Sequence, residues 1–309
     1  MPSVLDKRLV LVTGKGGVGK TTVSAALGLL AAGRGKRTML CEVAEQERMP
    51  RLFGAESVGH RELQLAPRLF GMSISPDRAK EEWLHFQLRS STVAGMLGQS
   101  RLFQYLTAAA PGLTELVTIG KVWELAQLDR VTEGAAPYDL VIVDAPATGH
   151  GLAMLRAPQT FAGVARVGPV RRQALKIHAF VCNPEVTGVL AVATPEEIPV
   201  NETLELGERM REEVGLDLDA VLVNGVYPER FSAEEARLLR SVDGNPSPSA
   251  RAALRAALSE YTRAGTQRSQ LRRLRRGTPA PVATLPYLFA PAVGRPELEE
   301  LARELDRRL

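Results

Sequence analysis

Two lysines and four glycines lie close together near the start of the chain, in the segment Gly14-Lys15-Gly16-Gly17-Val18-Gly19-Lys20-Thr21-Thr22. Glycines let the main chain approach a phosphate without Cβ clashes, and backbone N–H groups at a helix N-terminus attract its negative charge. A lysine and a hydroxyl that follow such a loop suit the terminal phosphates and a magnesium ion. The segment therefore predicts binding of a nucleoside triphosphate with Mg²⁺.

Each residue of this phosphate loop has a predicted task. We expect Lys20 to bridge the β- and γ-phosphates as a point charge. Thr21 is expected to ligate Mg²⁺ through its hydroxyl, and Thr22 to donate to an α-phosphate oxygen. The remaining residues are expected to cradle the phosphates with their main chain: Gly14, Gly16, Gly17, Val18 and Gly19.

The extra lysine, Lys15, follows the first glycine of the loop, where a side chain points away from its own phosphates. We expect it to reach the nucleotide bound by a neighbouring chain. A cation delivered in trans acts as an arginine finger does and contributes on the order of 10³ to 10⁵ in rate. Lys15 and Lys20 are therefore both predicted to be catalytic.

An acid closes the apolar run at residues 140–143, which reads as a strand. This acid, Asp144, lies where the second carboxylate near the metal is expected, and we predict that it holds Mg²⁺ through water. Residues 145–151 follow directly and contain two glycines. They are predicted to form a loop that responds to the γ-phosphate and moves when it is lost.

Apolar runs separated by helix-forming stretches predict an α/β fold with a mostly parallel sheet flanked by helices. The predicted strands are residues 8–13, 37–43, 69–74, 140–143, 188–193, 220–223 and 281–285. Helix starts are predicted after Ser75, Thr194 and Ser232, where a hydroxyl cap precedes proline or acids. We expect a single domain over residues 1–309, with helical insertions at approximately 76–130 and 152–181.

The first insertion carries many large apolar side chains. They could line either a hydrophobic core or an exposed groove for a client protein. These residues are Trp83, Leu84, Phe86, Met96, Leu97, Leu102, Phe103, Tyr105, Leu106, Leu113, Leu116 and Val117.

Net charge, cysteine placement and the lengths of apolar runs lead to expectations about partners and location. A net charge of +4 spread over 309 residues suggests ordinary surface, so no nucleic-acid partner is expected. The basic run at 272–276 is interpreted as a solvated helix face, with anionic lipid or nucleic acid as alternatives. Cys41 and Cys182 lie far apart, which indicates reduced thiols, a cytoplasmic location and no zinc site. The absence of a long apolar run predicts no transmembrane segment.

Taken together, these motifs resemble the ArsA-type ATPases, a family that includes arsenite-pump ATPases and the ATPase that targets tail-anchored membrane proteins. The resemblance rests on the phosphate loop, on Thr148-Gly149-His150, on residues 194–203 and on Leu285-Pro286 before Gly294. It implies a P-loop NTPase fold of the SIMIBI type. It also implies a dimer, of one chain or of two paralogues, with two ATP molecules at the interface and Lys15 crossing to the partner's phosphates. Asn224 would read adenine, and the loop around Pro286 would cover the other side of the base.

The chain departs from the family at its first switch, where an aspartate usually positions the attacking water. Glu42 takes that place and is predicted to be catalytic, with Glu45 as a rival. The main hypothesis is a Mg²⁺-ATP-dependent dimeric ATPase that binds or delivers a protein client, which could be a membrane protein. The alternatives are the catalytic subunit of an arsenite or other anion efflux pump, a non-hydrolysing nucleotide-binding partner in a hetero-pair, and a positioning ATPase similar to ParA and MinD.

Overall fold

The computed structural model describes residues 4–43, 47–88, 112–130, 132, 134–164, 167–242 and 246–308. In these ranges, eight strands form one sheet in the order β3-β4-β2-β5-β1-β6-β7-β8. All neighbouring strands are parallel except β3 and β4, which are antiparallel. The strands are β1 Leu9–Thr13, β2 Thr38–Glu42, β3 Leu63–Ala66, β4 Leu69–Ser73, β5 Leu140–Asp144, β6 Thr187–Ala193, β7 Ala220–Val226 and β8 Val282–Pro286.

Helices cover both faces of this sheet, as a parallel sheet requires. The described helices are α1 Lys20–Gly33, α2 Met49–Leu52, α3 Pro76–Leu88, α4 Leu113–Leu125, α5 Thr148–Val164, α6 Pro169–Val181, α7 Glu197–Val214, α8 Ala233–Arg240, α9 Pro248–Gly277 and α10 Arg295–Asp306. A short 3-10 helix, Val4–Asp6, precedes β1. Among these described helices, none combines the length and the apolarity needed to cross a membrane.

Two hydrophobic clusters lie on opposite faces of the sheet, because successive strand side chains point in opposite directions. On one face, Leu9 and Leu11 of β1 belong to a cluster that includes residues of α4, α5, α6, α7 and α9. On the other face, Val10 and Val12 pack with residues of α1 and α10. The central strands are buried on both faces, so their almost wholly apolar sequences identified them correctly.

The α/β fold with a mostly parallel sheet is confirmed, and each of the seven predicted strands is present within two residues at its start and three at its end. The edge strand β3 was missed. It is four residues long, begins with two exposed residues and joins β4 through a turn in which Arg68 has a positive φ of 61°. A segment this short and this exposed carries little hydrophobic periodicity, so its sequence does not distinguish it from a loop.

The predicted helix starts hold in two of three cases. Ser232 and Glu235 form a reciprocal capping box, and α3 begins at Pro76 directly after Ser75. The start predicted after Thr194 is wrong, because Glu196 is extended and α7 begins at Glu197. Pro199, which lacks an N–H group, then lies in the first turn of α7, where no intrahelical donor is needed.

The described parts of the two predicted insertions are helical. In the first insertion, Leu113, Leu116 and Val117 are buried in the core cluster that contacts the sheet, so these three side chains serve packing. The side chains of Leu84 and Phe86, and the other apolar residues predicted between Met96 and Leu106, lie outside the described residues. The single domain over residues 1–309, with insertions at approximately 76–130 and 152–181, stays a prediction.

Candidate functional site

The phosphate loop connects β1 to α1 and has a conformation that demands glycine. Gly14, Gly17 and Gly19 have φ values of 145°, 88° and 91°. A Cβ atom at Gly14 would lie 2.1 Å from the carbonyl oxygen of Val192, and one at Gly19 would lie 2.4 Å from Nδ2 of Asn224. The loop is therefore held between β6 and β7 by contacts that exclude larger residues.

Helix α1 begins at Lys20, and its N-cap, Gly19, provides no side-chain cap. The N-terminus of a helix carries unsatisfied N–H groups and a partial positive charge. Because no side chain of the cap covers these donors, the start of α1 offers them to an anion in the adjoining cavity. This cavity has a volume of about 620 Å³ and is lined in part by Gly16, Gly17 and Thr22.

Lys20 lies in this phosphate cavity and folds back over the loop. Its Nζ donates to the carbonyl oxygens of Gly14 and Lys15, at 3.0 and 3.1 Å. Burial lowers the pKa of Lys20, and the nearby Asp144 carboxylate opposes this shift. The amine is therefore positioned at the cavity wall by main-chain acceptors that a phosphate oxygen could replace.

Asp144 lies opposite the start of α1, at the carboxyl end of β5. The Thr21 hydroxyl donates to Oδ2 of Asp144 at 2.6 Å, while Oδ1 is buried and has no hydrogen-bond partner. Burial raises the pKa of Asp144 to about 6, although the hydrogen bond from Thr21 and the charge of Lys20 act against it. An orphaned carboxylate oxygen beside a threonine hydroxyl gives the oxygen donors that Mg²⁺ prefers.

Glu42 ends β2 and is the register neighbour of Asp144 on β5. Only 2% of the residue is exposed, and burial raises the pKa of its carboxyl group. Its two oxygens accept hydrogen bonds from the main-chain N–H groups of Arg48 and Met49, at 2.9 and 3.1 Å. Glu42 thus lines the phosphate cavity and also anchors the start of α2. The rival Glu45 lies outside the described residues.

Lys15 points away from the phosphate cavity, as its place in the loop predicts. Its Nζ forms an ion pair with Oε1 of Glu202 on α7, at 2.5 Å. Both side chains are about one-third exposed, at 35% and 33%. In this single chain, the amine is therefore held by an acid on a neighbouring helix and lies at the surface.

A second cavity, the base-side cavity, adjoins the phosphate loop and has a volume of about 680 Å³. Asn224 and Pro286, predicted to contact adenine, both line it, together with Tyr287. The Tyr287 and Tyr227 rings stack with centroids 4.6 Å apart. Asn224 donates through Nδ2 to the Val18 carbonyl at 3.0 Å, so it also holds the phosphate loop in place.

The predicted loop at residues 145–151 is shorter than expected. Helix α5 begins at Thr148, so Thr148, Gly149 and His150 form its first turn and the loop is limited to residues 145–147. The first turn of α5 lies close to the end of β1, because a Cβ at Gly151 would lie 3.2 Å from the Thr13 hydroxyl. His150 is exposed on this turn.

The sequence analysis missed three residues of the site. Glu202 holds Lys15, Arg48 lines the phosphate cavity, and Gln270 of α9 lines the base-side cavity with a buried Oε1 that lacks a hydrogen-bond partner. Arg48 and Gln270 belong to no motif of the sequence analysis, and Glu202 lies in the stretch 194–203 without a task assigned to it. They come to the site through tertiary packing of α7, the segment before α2, and α9.

The cysteines do not form a metal or metalloid site with other ligands in the described ranges. Cys41 is buried in β2, Cys182 ends α6, and both are free thiols. Burial raises the pKa of both thiols. Across the described part of the chain, no group of three or more His, Cys, Asp or Glu side chains is arranged to hold a metal ion.

Comparisons with known proteins show which family the chain resembles. The profile of a family described as "anion-transporting ATPase" matches residues 7–176. The ATPase BagA of Mycobacterium tuberculosis is 30% identical over 243 residues, which cover 77% of this chain and 70% of that protein. An ATPase ASNA1 homolog of Entamoeba dispar is 25% identical over 75% of this chain and 80% of its own length. An arsenical pump-driving ATPase of Acidiphilium multivorum is 25% identical over 72% of this chain and 40% of its own length.

Proposed function

The chain belongs to the family of anion-transporting, or ArsA, ATPases, and we propose that its ATP cycle opens and closes a dimer that binds a protein client. It is an ATPase of the P-loop class. The proposal is carried by one observation: Lys20, Thr21 and Asp144 line one phosphate cavity, while Lys15 of the same loop lies outside it. A loop that uses one lysine in cis and presents another at the surface suits a site shared by two chains.

ATP lies across the two cavities in this proposal. Its phosphates occupy the phosphate cavity beside Lys20 and the start of α1, and its adenine occupies the base-side cavity between Asn224 and Pro286. Three residues line both cavities, namely Gly17, Gly19 and Thr22, which supports a single extended ligand. Thr22 then lies where it donates to the α-phosphate.

Mg²⁺ is the proposed metal cofactor, and Thr21 with Asp144 are the residues that would hold it. When bound, Mg²⁺ neutralises charge on the β- and γ-phosphates. Among the described residues, no group of three or more acids, His or Cys could enclose a metal here, and the Thr21 hydroxyl with the free oxygen of Asp144 suits a metal that keeps waters and phosphate oxygens as its other ligands.

Hydrolysis needs a positioned water and a charge that stabilises the transferring phosphoryl group. We assign the first task to Glu42, whose carboxylate lines the phosphate cavity beside Asp144. Each of its two oxygens accepts one main-chain hydrogen bond, from Arg48 or Met49, and keeps acceptor capacity for a water. The second task falls to Lys15 of the partner chain, acting as an arginine finger acts.

The proposed dimer is formed by two copies of the chain or by the chain and a paralogue. Its client is a protein, and membrane proteins are one class that it would bind. An apolar cavity of about 440 Å³ between α3, α4 and α6 supports a client role, because Trp83, Trp123 and Ile177 line it. Isolation of proteins bound to an ATP-trapped Asp144→Asn form tests this part of the proposal. The absence of any nucleotide-dependent partner would count against it.

Two lysine variants test the nucleotide part of the proposal. Lys20→Ala is expected to abolish binding of ATP, because it removes the cation inside the phosphate cavity. Lys15→Ala is expected to keep ATP binding and to lose at least about 10³-fold in turnover, because only the in-trans charge is lost. Lys80→Ala is the control, since Lys80 pairs with Asp77 on the surface of α3. Equal turnover of the Lys15 and Lys80 variants would refute the cross-dimer role.

A second candidate function is the ATPase subunit of an anion or arsenite pump. The family description and the arsenical pump-driving relative favour it. Trivalent arsenic prefers several thiolates, however, and this chain offers a buried Cys41 and a distant Cys182. Stimulation of ATP turnover by arsenite would support the pump function. Turnover that arsenite does not change would favour the client-binding function.

A further inference from the structure

Three arginines converge on one cavity at the carboxyl end of α9, far along the chain from the phosphate loop. The cavity has a volume of about 550 Å³ and is lined by Leu204, Ser269, Arg272, Arg273, Arg276 and Gly277. We call this feature the arginine cup. The three arginines follow Ser269 by three, four and seven positions, so these four residues share one face of the helix.

The arginine cup contains no counter-charge among the described residues. No carboxylate lines it, and no described acid forms an ion pair with Arg272, Arg273 or Arg276. Elsewhere on α9, in contrast, Arg268 pairs with Glu229 at 2.6 Å. Three guanidinium groups around one cavity repel one another, and an anion in the cavity would relieve this repulsion.

The floor of the cup is a close contact between two helices. A Cβ at Gly277 would lie 2.8 Å from Cδ2 of Leu204 on α7, so glycine permits α9 to end against α7. The cup is therefore a concave site with an apolar floor and a basic rim. The negative end of the α9 dipole favours arginine in the last turn. The dipole does not explain the convergence, because Arg275 belongs to the same turn and does not line the cavity.

We propose that the arginine cup binds a phosphate group. Guanidinium groups present planar, forked donors that match phosphate oxygens, and several of them around one concave surface suit a doubly charged anion. The Ser269 hydroxyl adds a further donor, and Leu204 provides contact for an apolar part of the ligand. The phosphate belongs either to the headgroup of an anionic lipid or to a small soluble phosphate compound. This site is separate from the proposed nucleotide site and does not depend on it.

A pair of double variants on the same helix tests the proposal. Arg272→Ser/Arg276→Ser removes two rim arginines, and Arg251→Ser/Arg255→Ser removes two exposed arginines with the same spacing near the other end of α9. Both variants lose the same charge. Their thermal unfolding and their ATP turnover are compared with the unmodified protein, and both are expected to be unchanged, because none of the four residues lines the nucleotide cavities.

Two measurements distinguish the sources of the phosphate. The first is flotation with phosphatidylcholine vesicles that contain or lack phosphatidylglycerol, and the second is calorimetric titration with pyrophosphate. If the ligand is a lipid headgroup, the unmodified protein and the 251/255 variant float with the anionic vesicles. The 272/276 variant then binds about 30-fold more weakly, since each arginine near the surface contributes about 1 kcal/mol.

If the ligand is soluble, neither vesicle type is bound, and pyrophosphate titrates two sites in the unmodified protein and in the 251/255 variant. The phosphate loop accounts for one site, and the 272/276 variant loses the other. An equal loss in both double variants would mean that overall charge, and not the cup, is responsible. That result, or the absence of both vesicle binding and a second pyrophosphate site, would overturn the proposal.

Discussion

At the residue scale, the second lysine of the phosphate loop lies outside the phosphate cavity and is paired at the surface. Lys15 forms an ion pair with Glu202 on α7, and both side chains remain partly exposed. An exposed pair of this kind contributes about 0 to 1 kcal/mol, so it orients the amine without binding it firmly. In the proposed dimer, the Lys15 amine leaves Glu202 and approaches the phosphates of the partner.

This exchange leads to a prediction for Glu202→Gln. Loss of the pair frees Lys15, so ATP turnover should rise by up to about fivefold, the equivalent of about 1 kcal/mol. Glu208→Gln, on the exposed side of the same helix, serves as the control and should leave turnover unchanged. Turnover that falls in the Glu202 variant would show that this acid helps the reaction and does not merely hold the lysine.

The positions of single residues were predictable where a motif fixes them. Glycines at 14, 17 and 19 adopt the positive φ values that only glycine tolerates easily, and Lys20 and Thr21 follow in the first turn of α1. The partners of Glu42 and Lys15 were not predictable. These partners depend on where α2 and α7 pack against the site, and the spacing of residues in the sequence does not determine that packing.

At the element scale, an ionic network centred on a buried arginine joins α4 to the edge of the sheet. Arg130, whose side chain is 1% exposed, donates to Glu124 at 2.8 Å and to Glu62 at 2.5 Å. Tyr138, just before β5, donates to the other oxygen of Glu62 at 2.6 Å. Burial raises the pKa of Glu62, but the hydrogen bonds from Arg130 and Tyr138 outweigh it and hold that pKa below its usual value.

Removal of the central cation of this network should destabilise the fold. Arg130→Met removes the partner that Glu62 and Glu124 share. Glu124 keeps Lys121 and the partly exposed Glu62 keeps Tyr138, so the cost should lie near the lower end of the about 3 to 5 kcal/mol for a broken buried pair. Chemical denaturation measures this change. Arg78→Met removes an exposed arginine that pairs with Glu81 on α3, and it should change the unfolding free energy by less than about 0.5 kcal/mol. Similar values for the two variants would show that the network contributes no specific stability.

Elements also differ in how well their sequences reveal them. Strands buried on both faces, such as β1 and β5, are continuous apolar runs and were found. The start of α7 was misplaced by two residues, because Glu196 is extended and the helix begins at Glu197, so Thr194 does not cap it. The helical start of α5 was missed because Gly149 and Gly151 suggest a loop, whereas both glycines lie in the first turns of the helix.

At the scale of the whole molecule, the strand order brings the site together. Strand β1 lies between β5 and β6, so the phosphate loop that follows it meets Asp144 from one side and is packed by Val192 from the other. β2 adds Glu42 beside Asp144, and β7 adds Asn224 beside the loop. The carboxyl ends of parallel strands thus form one edge, where ligands bind in folds of this type. A parallel sheet was predictable from the apolar runs, but its strand order was not, because that order depends on contacts between distant segments.

The central claim is that Lys15 of one chain completes the nucleotide site of the other, and subunit mixing tests it most directly. Lys15→Ala keeps all residues proposed to bind the phosphates and the metal but lacks the lysine proposed to reach the partner's site. Asp144→Asn lacks the carboxylate proposed to hold the metal but still provides Lys15. Each variant alone should be nearly inactive. An equal mixture should recover about a quarter of the unmodified turnover, because random pairing makes half of the dimers mixed and one of their two sites complete. A mixture as inactive as its two components would contradict the account.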